Sequence, residues 1–122
     1  MNSKLIGHTI KGHSDLGQDT LIFETDSVPV KWDVDPDCCS LGKFTDIVGN
    51  ISSLGPITAV ETLASTDERI NPAKLSIQPS YDEVECIYGI LLTDASGKEV
   101  TIVHRNWSNG YYGNGFIETE NT

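Results

Sequence analysis

Val28-Pro29-Val30-Lys31-Trp32-Asp33-Val34 sets Val28, Val30, Trp32 and Val34 on one side of an extended chain and Pro29, Lys31 and Asp33 on the other. Successive side chains of a strand point to opposite faces, so this alternation marks a strand with one buried face. Pro29 has no amide hydrogen for a ladder. That predicts an edge strand, or one paired on a single side there, with an exposed edge open to self-association. Outward from this run, Asp26-Ser27 is a short turn and Thr20-Leu21-Ile22-Phe23-Glu24-Thr25 is a second strand. Gly17-Gln18-Asp19 leads back to a first strand at His8–Lys11, ended by Gly12. A three-stranded meander is expected.

Downstream, Gly42 to Val48 predicts a fourth strand and Pro56–Leu63 a fifth. Between them Asn50–Leu54, stopped by Gly55-Pro56, suits one helical turn. Ser65 to Ser80 holds Pro72 and Pro79 with scattered charge and no period, a long loop for a compact domain. Glu83–Thr93 is rich in strand formers, and Asp94-Ala95-Ser96-Gly97-Lys98 is a hairpin connection into Glu99–Trp107. Ser108-Asn109-Gly110 turns again into Tyr111–Glu118, and residues 118–122 read as a polar, frayed tail. The expected fold is mainly β: one domain over residues 1–122, an antiparallel sandwich or partly closed barrel of seven to eight strands with one or two short helices. An α+β arrangement is the alternative if the long loop forms a helix.

The 122 residues carry 18 acidic and 8 basic side chains, a formal net charge of −10, with 38 % hydrophobic content. That length fits one domain with its own core, and the composition excludes collagen-like, coiled-coil and disordered chains. Neutralising phosphates takes a basic face, so direct nucleic-acid binding is not expected, nor is attraction to an anionic membrane. No apolar run approaches a membrane span. Met1 to Ile10 lacks the apolar core of a secretory signal, so a cytosolic location is expected, with Cys38, Cys39 and Cys86 as reduced thiols.

Three groups of residues bear on chemistry. Asp33, Asp35 and Asp37 alternate like the opening of a calcium loop, but the required glycine is Cys38 and the closing acid is Phe44. A solvated strand end, where charge and Pro36 block edge pairing, accounts for the run better. The cysteines and His8, His13 and His104 lack zinc-ligand spacing, and no phosphate-binding glycine loop is present, so no cofactor, metal or catalytic residue is expected. Asn106 to Phe116 gathers four of the nine aromatics, with Trp107, Asn109, Tyr111 and Tyr112 interleaved with glycines. Such a hairpin can line a core, stack a base or fill a partner's pocket.

The order Asp37-Cys38-Cys39, Asp46-Ile47-x-Gly49, Leu54-Gly55-Pro56-Ile57 and Ser108-Asn109-Gly110-Tyr111-Tyr112 resembles an uncharacterised family of small phage and prophage proteins. The likeness runs from about Leu5 to Glu118. Two departures are Ser40, where the family tends to carry an acid, and the less acidic Asp46–Gly49 segment. The resemblance implies a one-domain fold and a mobile-element origin, and brings no catalytic residue with it.

Charge and resemblance together predict a non-enzymatic acidic protein that inhibits a host defence complex, anti-CRISPR-like, or another nucleic-acid-handling complex. It would act by direct protein–protein binding in the host cytosol. Its partner is expected to be a host protein or nucleoprotein complex with a basic surface. The electrostatic contacts are assigned to Asp33, Asp35, Asp37, Asp82, Glu83 and Glu85, in the sharper form as carboxylates spaced like phosphates. The aromatic hairpin supplies a second candidate surface. Two alternatives stand beside this: a protein that sequesters a nucleotide signal at the hairpin, and a phage structural or assembly accessory protein.

Overall fold

The structure, a computed structural model, describes residues 3–34, 40–63, 84–108 and 116–120. Eight strands form two antiparallel four-stranded sheets that pack as a sandwich without closing into a barrel. The first sheet has the order β1-β2-β3-β8, from Ile10–His13, Thr20–Thr25, Val30–Val34 and Phe116–Glu120. The second has the order β4-β7-β6-β5, from Ser40–Val48, Glu99–Ser108, Val84–Asp94 and Ile57–Leu63. One 3-10 turn, Ile51–Ser53, precedes β5; its cap Asn50 accepts from the Ser52 amide. No helix among the described residues is long and apolar enough to cross a membrane.

The meander is present, with corrections: β1 runs Ile10–His13 and so contains Gly12 instead of ending before it, and Val28 lies ahead of β3 and is exposed. β3 is an interior strand, paired with β2 on one side and β8 on the other. Both ladders begin at Val30, so Pro29 lies just before the first pair and its missing amide hydrogen costs the sheet nothing. The edges of this sheet are therefore β1 and β8. Residues 118–120, which read as tail, form the second half of β8. The long loop at 65–80 and the turn after Ser108 fall outside the described residues.

Trp32 is fully buried and organises the core. Its ring meets Phe23 edge-on at 4.7 Å, Phe116 at 4.8 Å and, across the sandwich, Phe44 at 6.1 Å. Phe44 continues the row to His104 on the neighbouring strand, 5.3 Å away. A buried indole still needs an acceptor for its N–H. Glu118, opposite Trp32 in the ladder, supplies it: Trp32 Nε1 donates to Glu118 Oε2 at 2.7 Å. The same carboxylate accepts from Ser3 Oγ and from the Lys4 amide, both at 2.6 Å. The segment so anchored buries Leu5 completely and reaches the other sheet, where the Gly7 amide donates to Ile57 O at 2.7 Å. At the opposite flank, Gly17 and Gln18 pair with Phe44 of β4. Both flanks of the sandwich are thus cross-tied.

Two β-bulges account for apolar spacings that do not fit period two. One between Phe44 and Asp46 returns Phe44 and Ile47 to the same inner face, although they are three residues apart. One between Ile57 and Ala59 does the same for Ile57 and Val60. Among the described side chains of β6 and β7, burial extends to both faces of the second sheet. Ile90, Leu92, Val100 and Ile102 face the main core, while Leu91 and Val103 join Leu63 in a second cluster on the outward side.

Asp94 closes the β6–β7 hairpin. Its Oδ1 accepts from the Ser96 amide and hydroxyl and from the Lys98 amide, and its Oδ2 from the Gly55 amide. Gly97 takes φ +87°, the left-handed position this turn requires. These donors, the Gly55 amide first, hold the Asp94 carboxyl down to about 2 from its ordinary 3.8.

Two predictions follow from these clamps. Glu118→Ala strands the Trp32 and Ser3 donors in a buried setting and should cost about 2–3 kcal/mol, read as a lower urea midpoint. Glu118→Gln keeps an acceptor and should lose less. Because the Asp94 carboxyl is depressed, its contribution is complete above 3.8 and disappears as pH falls through about 2. Melting temperature should therefore drop more steeply over that interval in the parent protein than in Asp94→Asn.

Candidate functional site

The ladder register fixes which residues face outward on the first sheet. Trp32 points inward, so Lys31 and Asp33 point away from the core, as do their cross-strand partners. One outward row is Thr20, Asp33 and Ile117; the next is Ile22, Lys31 and Thr119. Asp33 Oδ1 accepts from Thr20 Oγ1 at 2.6 Å and its Oδ2 lies 3.4 Å from Lys31 Nζ. The carboxylate is thus oriented while more than a third of it stays accessible, at 37 %. Its ion pair is of the exposed kind that contributes little to stability.

At the end of this face the β1–β2 connection forms a groove of about 300 Å³ lined by Ser14, Asp15, Gln18, Asp19, Thr20 and Ile22. The Ser14 amide donates to Ile22 O and the Ile22 amide to Ser14 Oγ, both at 2.9 Å. The Val34 amide donates to Asp19 O at 2.9 Å. The groove walls are therefore pinned to β2 and β3. Asp15, Asp19 and Asp33 come from three positions along the chain and reach one end of one sheet. The sequence held no local signal for Asp15 and Asp19, because only strand pairing brings their loop beside Asp33.

Of the other residues expected to bind a partner, Glu85 lies on β6 in the second sheet, opposite Trp107 on β7. Asp33 and Glu85 are thus on different sheets and do not share a face. Trp107 also pairs with Leu41 on its other side. Asp35, Asp37, Asp82, Glu83, Asn109, Tyr111 and Tyr112 lie outside the described residues. Among the described residues, no group of three or more His, Cys, Asp or Glu side chains is placed to hold a metal ion.

One further carboxylate, Asp26 in the β2–β3 turn, has a displaced acidity. It accepts from His8 Nδ1 at 2.9 Å, and this hydrogen bond lowers its pKa below the ordinary 3.8. The pair is solvent-accessible and links the turn to the segment before β1. His8→Ala should return the Asp26 carboxyl toward 3.8, measured by NMR titration of its side-chain carbon. With the pKa depressed, the bond supports the fold above 3.8 and is lost as pH falls through the folded value. An unchanged titration in the variant would assign the shift to the Thr9 backbone and the Lys11 charge instead.

No curated protein and no solved structure matches the chain. A family model does, over residues 3–117, nearly the interval over which the sequence pattern had suggested a family. The matched span takes in the groove, the second sheet and the first sheet up to the start of β8, and the chain belongs to the family described as Domain of unknown function (DUF7448).

Proposed function

We propose that this protein is a non-enzymatic acidic binding protein of phage or mobile-element origin. It inhibits a host defence or nucleic-acid-handling complex by direct protein–protein contact at a basic surface of that complex. The observation that carries the proposal is the placement of charge. A chain with net charge −10 presents Asp33 on an outward sheet face, with Asp15 and Asp19 at the end of the same face. Excess acid alone serves solubility. Carboxylates gathered on a sheet face and on the hydrogen-bonded loop at its end in addition offer a cationic partner defined positions, and charge arranged in this way speeds and orients association. The mimicry form of the proposal has these carboxylates occupying the place of phosphates in the partner's groove.

Affinity capture from the host cytosol, read by mass spectrometry across a salt titration, tests this directly. The expected result is a nucleic-acid-handling partner whose retention falls steeply with salt and which its own nucleic acid displaces. Asp33→Lys combined with Asp35→Lys and Asp37→Lys should weaken capture about tenfold or more, with the circular dichroism spectrum unchanged. A partner held equally well at high salt would sink the mimicry form.

A further inference from the structure

The two sheets differ in what their outward faces offer. On the second sheet, Leu63, Leu91 and Val103 are buried in their own cluster and Arg105 is only 7 % exposed, so these outward side chains are already covered. On the first sheet, Ile117 stands 51 % exposed, the most exposed large apolar side chain among the described residues. Ile22, one row along on the same face, is half-buried and also lines the groove. Around these two isoleucines lie Asp15, Asp19, Glu24 and Asp33, with Lys31 as the cation set among them.

We infer that this face docks a basic protein segment, with Ile117 and Ile22 burying its apolar residues and Asp15, Asp19 and Asp33 receiving its arginine or lysine side chains. The inference rests on the acidic-binder proposal and adds where contact is made and what the partner must carry. Charge complementarity argues for this occupant. The surplus of carboxylates selects a cationic segment, and the same field repels nucleic acid and anionic lipid. A second copy docking through the same patch would set these carboxylates against each other, since a two-fold interface is self-complementary. The apolar pair distinguishes the face from a purely solubilising surface, because exposed isoleucine adds nothing to solubility and supplies area to bury. The surface is also pre-organised: hydrogen bonds from Ser14, Ile22, Val34 and Phe44 hold the groove loop at four points, so little order remains to be lost on docking.

The test is an NMR titration of the full isotope-labelled chain with three short synthetic peptides, alternating arginine with leucine, arginine with serine, and glutamate with leucine. The arginine–leucine peptide should shift amides around Ile22, Lys31, Asp33 and Ile117, and should bind more tightly than the serine version. The glutamate peptide should not bind. Ile117→Arg should reduce affinity about tenfold or more, whereas Ile6→Arg, at an exposed isoleucine outside this face, should leave it unchanged. Thr119→Arg, also outward and exposed, provides a second variant if Ile117→Arg lowers the melting temperature. Unchanged affinity in both variants, equal binding of the two arginine peptides, or a dimer that Ile117→Arg disperses would each overturn the assignment. Salt-sensitive binding spread over the whole surface would remove the docking face and leave the acidic-binder proposal standing. Absence of binding by either arginine peptide at low salt would remove both.

Discussion

The indole N–H of Trp32, satisfied by Glu118, ties the aromatic core to β8 and to the N-terminal segment. The ring is needed in the middle of the sandwich, where it touches Phe23 and Phe116 on its own sheet and Phe44 on the other. An indole placed there with its donor unsatisfied would carry a desolvation cost of about 1–3 kcal/mol. Glu118 removes that cost, and a carboxylate has more acceptor sites than one donor uses. The spare capacity takes Ser3 and Lys4, which fixes the N-terminal segment, drives Leu5 into the core and ties the chain to Ile57 on the second sheet. One polar requirement of one aromatic thereby joins the two ends of the described chain and both sheets.

Asp94 plays a comparable part at the other pole. Four hydrogen bonds from three residues converge on it, closing the β6–β7 hairpin and drawing in Gly55 ahead of β5. Neither Glu118 nor Asp94 is available for binding a partner, since their oxygens are engaged within the fold. Asp33 is different, with one oxygen satisfied by Thr20 and the other beside Lys31 at the surface. The chain's acids therefore divide by what surrounds them: some hold the fold, and others give the outward face its charge.

Much of the fold was legible from residue order. The alternation of Val30, Trp32 and Val34, the Asp94-to-Lys98 connection and the Asn50 turn each express local rules, and each appears where those rules put it. Pro29 misled because a proline removes a ladder donor only at its own position, and the ladders begin one position later. The bulges at Thr45 and Thr58 were not legible, because a bulge is a property of the pairing between strands and leaves the composition of either strand unaltered. A strict period of two would set Ile57 and Val60 on opposite faces, and the bulge at Thr58 sets them on one.

The candidate surface was legible only at Asp33. Residue order and composition were enough for the class of fold, the excess of acid and the strand on which Asp33 sits, because these depend on composition and on side-chain period along one segment. The tertiary structure alone decided which acids share a face. Asp15 and Asp19 reach Asp33, and Glu85 goes to the other sheet, through the order β1-β2-β3-β8 against β4-β7-β6-β5. That order places Trp32 against Phe44 and its indole N–H on Glu118, contacts between strands far apart in the chain that leave no trace in any one of them.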